Sequence, residues 1–395
     1  MNLALFLGGI FLFTFFFGIL LEKIRLPGIF AALILGLGAA FYNPFEVLTS
    51  SEIFQFLAWL GMYFLLFLIG FELDLKKIKK LGKFIIRSTF FIIFFEAIFG
   101  SLLIHFVFGY SWFISILVAL SFATVGEAIL IPILDEFKLT KTKLGQSILG
   151  IGILDDIIEV LIIVLAILTV PILIGEGVEK IPNIGELWVI LFSLFVLFIF
   201  TLAIIKLKKR VSKMKLKGIE AISLLILAIF FLFIGIGKFA EAAAIGALLA
   251  GIAVKNFLPK ERIAGVESQI KTLTYSFFGP IFFFWVGVGT NINYLISAPL
   301  LILLVIVVVN GAKISASYLV GHKELGTKPS ILMGIALGVR FSTSIVIIKF
   351  LFEKTLIGME LYSVLIATTI AFTFIIPLLL SYLIPKWAHL NNVRN

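Results

Sequence analysis

Two adjacent aspartates lie in one of the most apolar stretches of this chain. The stretch GILDDIIEV, residues 152–160, carries Asp155, Asp156 and Glu159 between LGQSILGI and LIIVLAILTV. A carboxylate in the middle of a membrane span costs about 2.5–3.5 kcal/mol, so such residues are rare and usually mark ion or proton pathways. Two neighbouring carboxylates repel each other, so the pair can hold a proton near neutral pH and bind a monovalent cation once it is deprotonated. The pattern therefore predicts a site where a proton and a cation compete.

A lone lysine, Lys313, lies in the middle of another apolar run, VVVNGAKISASYLV. A lysine at this depth needs a counter-ion, and we expect the aspartate pair to supply it. Lys349 is near the end of its run and is interpreted as a side chain that snorkels to the membrane surface. The alternative for the aspartates is a structural ion pair without a role in transport, and for Glu159 the sequence favours neither interpretation.

Small and polar residues interrupt two further apolar runs near their centres. They are Ser121, Thr124, Gly126 and Glu127 in ALSFATVGEAILIPILDE, and Gly338, Arg340, Ser342, Thr343 and Ser344 in GIALGVRFSTSIVI. An interruption at matching places in two halves of a chain indicates broken helices around a midplane binding site. The free carbonyls and the partial charges of the helix ends can then bind a cation. The alternative is that small residues here only allow helices to pack closely.

The composition indicates an all-α polytopic membrane protein. Of 395 residues, 62% are hydrophobic and 14% are charged, whereas a soluble domain has about 45–50% apolar and about 25% charged residues. The net charge of +10 comes from basic residues in short runs between apolar segments, which indicates the inner membrane surface and not a nucleic acid partner. The chain has no cysteine and three histidines without ligand spacing, so neither a cofactor nor a resident metal centre is expected.

Thirteen apolar segments are expected to span the membrane. They are approximately 3–21, 28–41, 53–71, 84–106, 112–134, 144–170, 187–205, 219–236, 239–254, 270–289, 298–320, 330–350 and 360–384. Most lysines and arginines follow odd-numbered segments, which predicts a multi-pass protein of the plasma membrane with its N-terminus outside and its C-terminus in the cytoplasm. Segments four to six and eleven to thirteen would form an inverted repeat.

Several motifs resemble those of the monovalent cation:proton antiporter-2 family. They are LGMYFLLFLIGFELDLKKIKK at 60–80, RLPGIFAALILGLGAA at 25–40, and, in the family's order, the two acidic stretches above, AAIGALLAGIAV and FGPIFFFWVGVGTNI. The resemblance covers nearly the whole chain, and the NapA-like sodium/proton antiporters are the type it resembles most.

The resemblance implies a homodimer with crossed broken helices in an ion-binding core. That core would comprise approximately 84–170 and 298–384, the remaining helices would serve as dimerisation domain and scaffold, and no soluble regulatory domain is expected. Asp156 matches the family's main ion- and proton-binding aspartate, and Asp155 matches its neighbour, which is thought to pair with the lysine matched by Lys313. Thr124 matches the threonine at the first break. Members with these residues generally exchange two protons for one cation, which is electrogenic.

One stretch departs from the family. Where many relatives have PRGE, this chain has VRFS, so Arg340 is retained but Ser342 replaces the acidic residue. We expect Glu127 or Glu159 to pair with Arg340 instead.

The sequence therefore predicts a secondary antiporter and not an enzyme. It would exchange Na⁺ (or Li⁺) for H⁺ by alternating access in an elevator-like movement, and so serve pH and sodium homeostasis. A K⁺/H⁺ antiporter of the same fold is the alternative. A cation channel would show a pore-lining filter, a receptor a sensor domain and an intramembrane hydrolase its catalytic motif, and none of these is visible.

Overall fold

The computed structural model describes residues 2–24, 26–73, 81–174, 184–206, 219–239 and 242–387, and every regular element in them is helical. The first half comprises α1 Leu3–Lys23, α2 Phe30–Phe41, α3 Glu46–Thr49, α4 Glu52–Glu72, α5 Lys83–Phe108, α6 Trp112–Phe122, α7 Glu127–Glu136, α8 Lys143–Ile174 and α9 Ile184–Lys206. The second half comprises α10 Ile219–Lys238, α11 Ala243–Phe257, α12 Lys260–Leu273, a π-helical turn Thr274–Phe278, α13 Gly279–Val288, α14 Ile292–Ser297, α15 Pro299–Leu325, α16 Thr327–Leu337, α17 Ser342–Glu353 and α18 Met359–Trp387.

Local sequence signals explain several helix ends. The Ser51 hydroxyl accepts the backbone N–H of Phe54 at the start of α4, and the Ser111 hydroxyl accepts that of Ile114 at the start of α6. Each serine satisfies one of the N–H groups that the first turn leaves without a helical acceptor. Gly109 ends α5 with φ of 74°, a left-handed conformation that glycine adopts without strain.

Each of the thirteen predicted segments overlaps a helix, and both predicted interruptions are present. Segment five is divided into α6 and α7, and segment twelve into α16 and α17. Among the described helices, six are long and apolar enough to cross a membrane, or seven if α16 and α17, which are bent by 46° at their break, count as one span. The larger number of thirteen spans stays a prediction.

The chain divides into two compact units. The first contains Met1–Phe11, Pro44–Leu73 and Ile163–Trp285. Within it α4 packs closely on α11. A methyl group added to Gly70 would lie only 3.0 Å from the carbonyl carbon of Leu248, so there is no room for a side chain at this position. The glycine thus permits a backbone-to-backbone contact, as is common between membrane helices.

The second unit contains Leu12–Asn43, Asp74–Ile162 and Val286–Asn395. Within it α5 packs on α6 and α15, α15 packs on α16, and α18 packs on α15, α16 and α17. Every candidate site residue named from the sequence belongs to this second unit.

Candidate ion-binding site

The two broken segments contact each other at their breaks. The backbone N–H of Gly126 donates to the carbonyl of Val339 at 2.7 Å, and the hydroxyls of Thr124 and Ser344 are in hydrogen-bond contact. A Cβ on Gly126 would lie 3.1 Å from the Cβ of Phe341, so a side chain here would press the two breaks apart. The interruptions therefore form one crossing point in the second unit.

Lys313 joins the two breaks. Its side chain is buried, and Nζ donates to the carbonyls of Ala123 at 2.8 Å and Leu337 at 2.9 Å. These carbonyls lie at the carboxyl ends of α6 and α16, where a helix carries unpaired acceptors and a partial negative charge. The ammonium therefore stabilises both helix ends at the crossing.

A glutamate that we did not single out from the sequence, Glu96 on α5, is the counter-ion of this lysine. Glu96 Oε2 lies 3.0 Å from Lys313 Nζ, and the two side chains form a buried ion pair. We expected the aspartate pair in this position; Asp155 does interact electrostatically with Lys313, but Glu96 is the carboxylate in direct contact. The signal was present: a lone glutamate near the centre of segment four carries the same insertion cost as Asp155.

Arg340 is the second cation bound by Glu96. Its NH2 nitrogen lies 2.6 Å from Glu96 Oε1, its NH1 nitrogen donates to the carbonyl of Thr124 at 3.2 Å, and its guanidinium carbon lies 4.2 Å from the ring centroid of Phe122. Glu96 is thus the carboxylate that contacts Arg340, whereas Glu127, one of the two residues that we expected there, has its side chain against Gly152 on α8, and the expected pairing stays a prediction. The other residue that we predicted, Glu159, has a side chain outside the described part of the structure.

The aspartates lie on α8, beside the first break. Asp155 is buried and interacts electrostatically with Lys313, Glu96 and Arg340, and also with the backbone N–H of Val125. Asp156 is half-buried. The two neighbours on α8 thus differ, because one belongs to the buried ionic cluster and the other is more accessible.

Glu127 and Ser342 have separate positions. The side chain of Glu127 lies across Gly152, which is one turn before the aspartates on α8. A Cβ added to Gly152 would lie 2.9 Å from the Glu127 Cδ atom. Ser342 is buried as the first residue of α17. The structure thus groups Asp155, Lys313 and Arg340, and places Glu127 against the helix of the aspartate pair.

Lys349 does not snorkel, which corrects the sequence interpretation. It is buried, and Nζ lies 2.7 Å from Glu353 Oε1, while the rings of Phe352 and Tyr362 have centroids 5.1 Å and 5.4 Å away. The reason is that α17 starts only at Ser342 and continues to Glu353, so Lys349 is less terminal than the predicted segment suggested.

Comparison with known proteins agrees with this architecture. The family profile described as "Sodium/hydrogen exchanger, transmembrane" matches residues 11–384. A protein named probable Na⁺/H⁺ antiporter 3 of Methanocaldococcus jannaschii is 28% identical over 373 residues, which cover 92% of each chain. A Na⁺/H⁺ antiporter of Enterococcus hirae is 26% identical over 337 residues, covering 83% of this chain and 84% of that protein.

A solved structure shares the fold. The sodium proton antiporter MjNhaP1 of Methanocaldococcus jannaschii superposes with a TM-score of 0.65 at 17% identity, over 99% of this chain and 98% of the other. The resemblance to monovalent cation:proton antiporters is thus confirmed, while the NapA-like type stays a prediction. The chain is a multi-pass membrane protein and belongs to the transmembrane sodium/hydrogen exchanger family.

Proposed function

We propose that the chain exchanges Na⁺ or Li⁺ for H⁺ and that Asp156 binds the proton and the cation in turn. The observation that carries this proposal is the place of Asp156, half-buried beside the buried Asp155 on the helix that lies against the break between α6 and α7. Thr124 lies in that break, so its hydroxyl and the unwound backbone can add oxygen ligands. Relatives named as Na⁺/H⁺ antiporters support the choice of ions.

The burial of the two aspartates supports Asp156 as the exchanging residue. Lys313 and Arg340 bring two positive charges, and Glu96 and Asp155 bring two negative charges, so these four residues balance one another. Asp156 is the more accessible of the two aspartates, which favours it as the residue that exchanges the transported ion. A proton neutralises Asp156 at low pH and a monovalent cation at higher pH, and this competition couples the two flows.

The movement that carries the ion is proposed to be elevator-like. A core made of residues 84–170 and 298–384 would move against the other helices of a homodimer in the plasma membrane, with the N-terminus outside. Two points support this. The resemblance described above implies it, and the second compact unit contains residues 298–384 and the first 79 residues of 84–170. The loop charges support the orientation.

The exchange is proposed to be electrogenic, with two protons per cation, and to serve pH and sodium homeostasis. The support is that Asp155, Asp156 and Lys313 are the combination found in electrogenic members of the family that the chain resembles. In proteoliposomes an imposed membrane potential should then drive exchange without any ion gradient, whereas exchange that ignores the potential would show an electroneutral cycle.

The choice of ion is tested with purified protein in liposomes that contain a pH dye. After a proton gradient is imposed, NaCl, LiCl, KCl or choline chloride is added outside. Dissipation by Na⁺ or Li⁺ supports the proposal. Dissipation by K⁺ alone would make the chain a K⁺/H⁺ antiporter, and no response in folded protein would overturn the transport assignment.

A further inference from the structure

Oxygen atoms surround the ammonium of Lys313 much as they would surround a bound cation. Three of them, the carbonyl oxygens of Ala123 and Leu337 and Glu96 Oε2, lie 2.8, 2.9 and 3.0 Å from Nζ. We call these three atoms the Lys313 cage. Two belong to carboxyl ends of helices and the third to a carboxylate, so the cage combines partial and full negative charge.

Several buried polar atoms near the cage lack a hydrogen-bond partner. Among the described side chains, Asp155 Oδ2 and Asn310 Oδ1 are buried and accept no hydrogen bond, and the buried Arg340 Nε has no acceptor. Asn310 lies one turn before Lys313 on α15. Its Oδ1 atom is 2.6 Å from the position that a Cβ on Gly338 would occupy, and Gly338 directly follows Leu337, whose carbonyl belongs to the cage. Buried acceptors are normally satisfied, and a group of exceptions indicates a place for a proton, a water molecule or an ion.

We infer that the Lys313 cage is a monovalent-cation site, separate from Asp156, that the chain fills with its own ammonium. Removal of that ammonium opens the site to a free cation of similar size, such as K⁺ or NH₄⁺. Backbone carbonyls are the ligands that replace the hydration shell of K⁺ in proteins, and the oxygen distances of 2.8–3.0 Å suit these larger ions better than Na⁺.

Lys313 would thus help to determine where a free cation binds. A tethered ammonium keeps free cations out of the cage and leaves Asp156 as the place where a transported cation binds. The expectation for wild type rests on the proposed function, in which Na⁺ or Li⁺ and not K⁺ binds at Asp156, and the Asp156→Asn variant below distinguishes a failure of that function from a failure of the cage.

Lys313→Met is the sharpest variant, because methionine keeps an unbranched stem but has no atom at the position of Nζ. Thermal unfolding of wild type and variant is measured in detergent at constant ionic strength, with K⁺, NH₄⁺ or Na⁺ replacing choline. We expect a saturable rise of several degrees with K⁺ and NH₄⁺ in Lys313→Met and a smaller rise with Na⁺, since a ligand that binds the folded state stabilises it. Wild type should show no such rise with K⁺ or NH₄⁺.

Two further variants distinguish the cage from other sites. Lys313→Met combined with Asp156→Asn should keep the K⁺ response, because the cage does not include Asp156. Lys143→Met removes an exposed lysine and should behave as wild type. An equal response in wild type and Lys313→Met, its loss with Asp156→Asn, or no response to any cation would overturn the inference.

Lys313→Ala covers the case in which the methionine variant does not fold. Its larger space should accept methylammonium as well as K⁺, and folded protein recovered only in their presence would support the cage. If neither variant folds in any of these salts, the inference fails, because a free cation is then unable to replace the ammonium.

Discussion

Glu96 Oε1 lies 2.6 Å from the NH2 nitrogen of Arg340, with both side chains buried in the second unit. Removal of one partner from a buried ion pair leaves an uncompensated charge and costs about 3–5 kcal/mol. We therefore expect Glu96→Gln to lower the unfolding temperature strongly and to abolish exchange, as measured by thermal unfolding and in proteoliposomes.

The matched control for Glu96 is Glu324→Gln. Glu324 pairs with Lys143 at 2.9 Å, but both side chains are more than half exposed, and an exposed pair contributes about 0–1 kcal/mol. If the two glutamine variants were equally stable, the buried cluster around Glu96 would not hold the crossing together.

The hydroxyl contact between Thr124 and Ser344 predicts energetic coupling of the two breaks. Thr124→Val and Ser344→Ala should each cost about 1–3 kcal/mol, because each leaves the other hydroxyl buried without this partner. The double variant should cost less than the sum, with a coupling energy of about 0.5–3 kcal/mol from the free energies of unfolding.

A threonine of the first unit provides the reference for this cycle. The Thr201 hydroxyl donates to the carbonyl of Leu197 within α9, so Thr201→Val and Thr124→Val should be additive. Additivity of Thr124→Val with Ser344→Ala as well would contradict the direct contact.

Gly152→Ala is predicted to change transport more than stability. The added methyl group would lie 2.9 Å from the Glu127 Cδ atom, and the flexible glutamate can move away. Its carboxylate would then leave the neighbourhood of the aspartate pair, so we expect a severalfold higher KM for Na⁺ in proteoliposomes. Gly311→Ala on α15 meets no atom within 4 Å and should leave KM unchanged, and an unchanged KM in Gly152→Ala would exclude Glu127 from the site.

The buried pair of Lys349 and Glu353 predicts an asymmetric effect of mutation. Glu353→Gln removes the carboxylate 2.7 Å from a buried ammonium, whereas Lys349→Met removes the buried charge itself. We expect the first to cost up to about 3 kcal/mol, less than a fully buried pair because Glu353 is partly exposed, and the second to cost less. The double variant should resemble Lys349→Met in thermal unfolding, and a larger loss in Lys349→Met than in Glu353→Gln would contradict this account.

The sequence predicted the features that are local to one segment. The breaks at Thr124 and Arg340 could be identified because small and polar residues there replace the leucines of an unbroken apolar helix, and both breaks are present. The aspartate pair could be identified from its insertion cost alone.

Partners between segments could not be read from the sequence. Arg340 and Glu96 are 244 residues apart, and helical periodicity shows which face a residue occupies but not which helix lies opposite. Glu127 and Glu159 were the two partners expected for Arg340, and the side chain of Glu127 lies against Gly152 on α8. The family resemblance did not help with Glu96, since it matched the residues of other segments.

The central claim is that Asp156 carries the exchanged ion, and one assay tests it most directly. Wild type, Asp156→Asn and Asp135→Asn, which has the same substitution on an exposed aspartate of α7, are placed in liposomes with an internal pH dye and an imposed proton gradient. The account predicts that Na⁺ or Li⁺ dissipates the gradient with wild type and Asp135→Asn, and that folded Asp156→Asn is no faster than liposomes without protein. Dissipation by Asp156→Asn at the wild-type rate would contradict the account.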